Sequence, residues 1–378
     1  MSFEWLYLYL IPFMVMITIV VFVHEFGHYL LARLNGVRVD VFSIGFGPEL
    51  FGYSNKAGTR WKFSLVPLGG YVKMASDVNA ASQPDSKAIA KMTEEEKKGS
   101  LFHKTVWQRI QVSAAGPVFN YIFAVLILAV LYTTVGQTLP SESSKLGAVL
   151  PDTAAARAGL QPGDEIIAID GKSIQTFEEL RKTVAVNAGQ ELEFMVRRPG
   201  RQLSFTLTPE EQVITDDSGA EKSIGLIGVY PSTAQVKRSF LSSWYYAGEF
   251  VLAKSWETIK FLGRMIIGQV SAKGLTGPIG IAKITGEYAT VDFATFFWFM
   301  AFISMNLGLI NLFPIPMLDG GHLLFYFIEA IRGRPLSERA QEYGFRIGFF
   351  MVLALMLFAT WNDLRKLQVF QKIASLFS

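Results

Sequence analysis

Apolar and polar positions divide this 378-residue chain into four long apolar runs joined by mixed segments. The first extends from Trp5 to about Leu34, and no charged side chain interrupts it between Trp5 and Val23. The second, Gly116 to Gly136, reads GPVFNYIFAVLILAVLYTTVG. The third covers Phe293 to Phe313, and a shorter fourth covers about Phe345 to Trp361. Each reaches or approaches the roughly 20 residues a helix needs to cross the hydrocarbon core of a bilayer. The pattern predicts a polytopic α-helical membrane protein of about four transmembrane helices, placed within 1–36, 116–136, 293–330 and 343–362.

The connecting segments carry other periods. Residues 37–115 form the first connection. Its part 37–75 is β-rich, with GFGP (Gly45 to Pro48) and PLGG (Pro67 to Gly70) as turn signals. It is expected to be a cytoplasmic β-rich loop, or a membrane-re-entrant one by the resemblance of its GFGP part to a β-structured segment that dips into a membrane, and the polar stretch 76–100 reads as a loop. Residues 146–210 alternate short β runs (Ala148–Leu150, Glu165–Ile169, Leu192–Val196, Leu203–Leu207) with Gly and Pro turns. They also hold one helix, TFEELRKTVAV, with Thr176 as N-cap and Glu179 at the capping-box position. Within 236–292, Phe240 to Gly268 is amphipathic. Glu249, Glu257, Lys260 and Arg264 take one face, and Leu241, Trp244, Val251, Ile259, Leu262 and Ile266 the other. That suits a helix lying on a membrane or a partner, and its spaced charges argue against a fifth span.

Composition agrees with the membrane reading: 51% of residues are hydrophobic, and mean hydropathy is positive. The net charge is only +3 and the basic residues form no stripe, so nothing points to nucleic acid. There is no cysteine, which excludes disulfides and thiolate metal sites and leaves His and carboxylates as ligands. Basic residues set the expected orientation. Arg33, Arg38, Arg60, Lys62, Lys104 and Arg109 mark the first connection as cytoplasmic, as Arg332, Arg334 and Arg339 mark the last. The N-terminus, segment 137–292 and the C-terminal tail then lie on the other side of the membrane. Arg365, Lys366 and Lys372 pull the C-terminal tail the other way, but four spans and the richer first connection outweigh them. The first run lacks a basic n-region and a small-residue cleavage site, so it is expected to be retained as a helix.

Three ionisable residues interrupt the first run in VVFVHEFGHYLL: His24, Glu25 and His28. Such residues are costly in a bilayer and usually functional. On a helix, His24 and His28 share a face, so both imidazoles can reach one metal ion with Glu25 beside the open position. A catalytic zinc wants a third protein ligand. Asp319, in NLFPIPMLDGGH at the end of the third run, is the best candidate. His322 and His103 are rivals, and a helix N-cap is the alternative role for Asp319.

Together, HEFGH, GFGP, GPIGIAK (Gly277 to Lys283) and NLFPIPMLDGG resemble the site-2 protease family of intramembrane zinc metalloproteases, most closely its bacterial, sigma-E-regulating branch. The sequence AARAGLQPGDEIIAIDG resembles a PDZ domain of bacterial envelope proteases, so 146–210 is expected to be an inserted α+β PDZ domain. Relatives of that branch often carry two such domains, and this chain shows one. The resemblance implies Zn2+ bound by His24, His28 and Asp319, Glu25 as the catalytic base, and Asn306 and Asn311 as substrate-binding residues. It also implies single-span membrane substrates, such as a pre-trimmed anti-sigma factor or remnant signal peptides. The PDZ domain would filter substrates by size or bind a trimmed C-terminus, with a carboxylate-binding loop near Ser144 to Val149. A non-proteolytic PDZ scaffold with a structural metal is the alternative, and a transporter with a His and Asp proton relay is a third. Neither gives Glu25 a role.

Overall fold

The computed structural model describes residues 5–75, 92–215 and 221–367. The chain falls into two compact units, one of residues 1–131 and 240–378 and one of residues 132–239. A π-helical turn, Leu6–Leu10, leads into α1 (Ile11–Leu34). Strands β1 (Val39–Ser54) and β2 (Arg60–Met74) follow. Both are long and bent. Val41 to Ile44 pair with Arg60 to Phe63 on one flank and with Gly70 to Lys73 on the other. Two strands thus make a curled sheet of four runs, with 70–74 along one edge. The sheet packs on α1 around Phe42, Val39 and Val72, and Thr18 Oγ1 donates to the Pro67 carbonyl at 2.8 Å.

Of the expected 76–100 loop, 76–91 lies outside the described residues. Glu94–Gly99 forms a short helix, α2, because Thr93 and Glu96 build a capping box. Helix α3 runs from Val106 to Thr134, ten residues before the predicted start at Gly116. The polar first turns (Gln108, Arg109, Gln111) belong to what had read as the first connection, 37–115. The helix continues through Pro117, as transmembrane helices tolerate.

The second unit holds the expected α+β module. Strand β3 (Gln137–Pro140) precedes β4 (Leu146–Val149), α4 (Ala154–Ala158), β5 (Glu165–Ile169), β6 (Lys172–Ser173) and α5 (Phe177–Val186). Then come β7 (Leu192–Arg198), β8 (Arg201–Leu207), β9 (Glu210–Thr215), β10 (Glu221–Leu226), β11 (Val229–Pro231) and β12 (Thr233–Val236). The central sheet has order β6-β5-β7-β8, and α5 carries the predicted Thr176/Glu179 capping box. Leu146, Ile166, Leu180, Phe194 and Val196 fill the core. The unit exceeds the expected 146–210: β11 pairs with β4 and β12 with β3, so the stretch after 210 returns to close it. Residues 144–149 are not an open carboxylate-binding loop, because Ser144 and Leu146 are buried and Leu146–Val149 is a paired strand.

The first unit resumes with α6 (Phe240–Ile266), α7 (Pro278–Val291), α8 (Phe293–Asn311), α9 (Asp319–Arg332) and α10 (Glu338–Lys366). Residues 236–292 therefore hold two α-helices with a short 3-10 turn, Ala272–Gly274, between them. Helix α6 buries the small stripe Ser243, Ala247, Val251 and Ser255, while Leu241, Trp244, Leu252, Trp256 and Ile266 stay exposed. The expected third span, 293–330, is interrupted: α8 stops at Asn311, residues 312–318 break the helix at Pro314 and Pro316, and α9 starts afresh at Asp319. Among the described residues, four helices are long and apolar enough to cross a membrane: Leu6–Leu34, Val106–Thr134, Phe293–Asn311 and Glu338–Lys366.

Candidate metal centre

Helix α1 places His24 and His28 one turn apart on its buried face, and the break after α8 returns Asp319 to them. His24 Nε2 lies 3.1 Å from Asp319 Oδ2, and His28 Nε2 lies 3.3 Å from Asp319 Oδ1. The two Nε2 atoms are 3.2 Å apart. With bonds of about 2.0–2.1 Å, tetrahedral zinc holds its ligands about 3.3 Å apart. The observed triangle matches that spacing. Two imidazole nitrogens facing each other and a carboxylate also form the donor set a divalent cation satisfies, so these residues fit a metal.

The second nitrogen of each ring is held by α3. His28 Nδ1–H donates to the Val112 carbonyl at 2.8 Å, which leaves the Nε2 lone pair free for the triangle. His24 Nδ1 lies 3.2 Å from the side-chain amide of Asn120. As placed, the amide presents its nitrogen and leaves its buried Oδ1 without a partner. Turning the amide over lets Oδ1 accept from His24 Nδ1–H and frees His24 Nε2 for a metal. Gly116, between them, brings the α3 backbone against both rings: a Cβ there would lie 2.2 Å from His28 Nε2 and 2.7 Å from His24 Cε1.

Glu25 lines the same cavity, of about 340 Å³, together with the three ligand residues, Asn311, His322 and Tyr326. The 70–74 edge of the sheet forms another wall through Gly70 and Val72, and a Cβ on Gly70 would sit 3.6 Å from Glu25 Cγ. Asp319 is the first residue of α9. The N-cap position falls to Leu318, without a side-chain cap, so the N-cap alternative for Asp319 is not taken. Gly320 and Gly321 follow because their Cβ atoms would strike the Phe313 carbonyl at 2.2 Å and the Ile315 carbonyl at 2.5 Å. Met317, at φ 88°, absorbs the sharp turn before them.

The two asparagines part company. Asn311 Nδ2 lies 3.5 Å from His24 Nε2 and faces the cavity. Asn306 does not: its amide donates at 2.8 Å to the Phe302 carbonyl of its own helix. Five residues turn a helix by roughly 140°, so the two cannot share the site. His322 lines the cavity outside the ligand triangle, and His103 belongs to neither. Sequence reasoning missed Val112, Gly116 and Asn120. Only the motif GPVFN inside an apolar run pointed to the last two.

The model of peptidase family M50 matches residues 12–355. The chain belongs to peptidase family M50. Among its relatives is the "Putative zinc metalloprotease Atu1380" of Agrobacterium fabrum, 42% identical over 95% of this chain and 96% of its own length. Another is the metalloprotease MmpA of Caulobacter vibrioides, 37% identical over 98% of both chains. A PDZ domain of an SdrC-like protein from Listeria monocytogenes aligns with 25% of this chain and 90% of its own, at 18% identity and a TM-score of 0.19. The expected membership in the site-2 protease family is met, and the chain is a metalloprotease of that family.

Proposed function

We propose that the protein is an intramembrane zinc metalloprotease that cleaves peptide bonds in or near membrane-spanning segments of single-span substrates. The carrying observation is the meeting of His24, His28 and Asp319 with Glu25 in one cavity of a unit whose long helices are apolar enough for a bilayer. The relatives' names support zinc as the metal. Zinc held by these three side chains would supply a Lewis acid for the scissile carbonyl and lower the pKa of an attacking water. Glu25 takes a proton from that water and returns it to the leaving amine nitrogen. Asn311 offers its amide to the substrate backbone beside the site. Among the described residues the 70–74 run borders no further strand on its outer side, so an unwound substrate can add there as a strand. Exposed Phe46, Leu50, Phe51, Phe63 and Leu65 make the sheet a surface suited to lipid, as the re-entrant reading requires.

The proposed setting is a bacterial inner membrane with the PDZ unit on the periplasmic side. There it would act as a size filter, admitting a substrate such as an anti-sigma factor only after its outer domain is trimmed. The test is cleavage of a reconstituted single-span substrate with parallel zinc analysis. Cleavage that stops on chelation and returns with zinc supports the reading. A zinc-loaded, folded protein that cuts no membrane substrate would favour the scaffold alternative.

A further inference from the structure

We infer that the ion pair between Arg109 and Glu329 positions the metal centre, making α3 the one helix that sets the place of all three ligands. The inference rests on reading His24, His28 and Asp319 as metal ligands. Helix α3 already holds the histidines, through the Val112 carbonyl and the Asn120 amide. Asp319 has no such support: among the described residues its carboxylate meets only the two imidazoles. Its helix starts afresh after the break at 312–318, where its first turn rests on the Phe313 and Ile315 carbonyls through Gly320 and Gly321, and the ion pair at Glu329 holds its other end.

Glu329 supplies what Asp319 lacks. Residues 319, 322, 326 and 329 fall within roughly 80° on α9, so the ligand, two cavity-lining side chains and Glu329 share a face. Arg109, in the first turn of α3, grips Glu329 with both terminal guanidinium nitrogens; Nη1 donates to Oε2 at 3.0 Å and Nη2 donates to Oε1. The guanidinium also lies 4.9 Å from the Tyr326 ring centroid. Both side chains are nearly buried, at 11% and 13% exposed. A bidentate pair tolerates little sliding or rotation. A helix is stiff over the roughly 15 Å between residues 329 and 319, so a clamp at Glu329 fixes Asp319. A buried ion pair is a poor source of stability; fixing the register of one helix against another is what this geometry does well.

The test uses the full-length protein in detergent, comparing wild type, E329Q and R109Q/E329Q. Zinc affinity is read by chelator competition, ligand geometry by the visible spectrum of the Co2+-loaded protein, and folding by thermal unfolding. E329Q is expected to fold and to lose about tenfold in zinc affinity, the lower end of the roughly 10–100-fold that losing a group bonded directly to a ligand costs, with an altered cobalt spectrum. The double variant leaves no lone buried charge and so keeps the test open where E329Q does not fold; the same affinity loss is expected. Folded variants with wild-type affinity and an unchanged cobalt spectrum would overturn the inference, whatever their melting temperature. D319A separates the two levels. If it binds zinc as wild type does, the metal reading itself fails. If it loses zinc while E329Q and the double variant do not, the positioning role alone fails.

Discussion

Gly116→Ala tests whether the metal centre depends on the close approach of α3. The added methyl would sit 2.2 Å from His28 Nε2 and 2.8 Å from His24 Nε2, against the two atoms assigned to the metal. Reaching even 3.0 Å, below which real Cβ contacts essentially never fall, takes a displacement of about 0.8 Å. A metal site tolerates about 0.2 Å in its ligand distances. Either α3 backs away, carrying Val112 and Asn120 off the imidazoles, or the imidazoles swing out of the triangle. Overpacking of this kind costs about 1–3 kcal/mol, so the variant should still fold. Zinc affinity should fall by at least about tenfold, because either movement breaks the ligand geometry or its outer-shell support. Chelator competition on purified full-length protein measures this. Gly263→Ala, a helical glycine with open space around it, is the control and should bind as wild type. A G116A protein with wild-type zinc affinity and undiminished cleavage would show that the ligands are not held where the geometry puts them.

Other outcomes follow from the same structure. Glu25→Gln should keep stoichiometric zinc and lose about 10²–10⁴-fold in cleavage rate, the usual share of a general base; full proteolysis in a zinc-loaded E25Q protein would remove Glu25 from the mechanism. Asp319→Ala should lose zinc on gentle chelation while His322→Ala retains it, and the reverse by metal analysis would reassign the third ligand to His322. Replacing residues 137–236 by a short flexible linker should let substrates with intact outer domains be cut, if the unit is a filter; loss of cutting on trimmed substrates instead would favour C-terminus binding. In the second unit, burial alone would raise the Asp164 carboxyl, but the Arg198 guanidinium (2.7 Å) and the Gln161 N–H hold it below the usual carboxylate range. A carboxyl depressed on folding stabilises fully above its unfolded pKa of about 3.9 and loses that contribution as pH falls through the folded value. Nicking within 132–239 by an acid-active protease should therefore rise in that window, and Asp164→Asn should flatten the rise.

How much of this the sequence disclosed depended on whether a residue's role was local. His24 and His28 were legible because one helical turn fixes their relation, and Asp319 because an acidic residue beside two glycines and two prolines is conspicuous in an apolar stretch. The capping box at Thr176 is likewise a matter of three residues. Val112 acts through its carbonyl, which no side chain announces, and Gly116 acts through an absent one. Arg109 counted only as a topological charge, because its partner lies 220 residues away. Asn306 and Asn311 were paired by resemblance, and helical geometry separates them. The return of 229–236 onto β4 and β3 was hidden for the same reason: strand pairing across some 80–100 residues leaves no periodic mark near either strand.

The break between α8 and α9 explains why the motif carries so many residues hostile to helices. Had α8 continued past Asn311, Asp319 would stand about 12 Å further along its axis and could not share a cavity with Asn311. Pro314 and Pro316 stop the helix, Met317 turns the chain, and the two glycines let the first turn of α9 rest on the carbonyls of Leu312, Phe313 and Ile315. Irregular backbone at membrane depth is tolerated only where protein or a water-filled cavity covers it. Here it lines the cavity that must admit water. One departure from helical geometry thus delivers the carboxylate to the histidines, keeps Asn311 beside them, and puts non-helical backbone where hydrolysis needs a wet site.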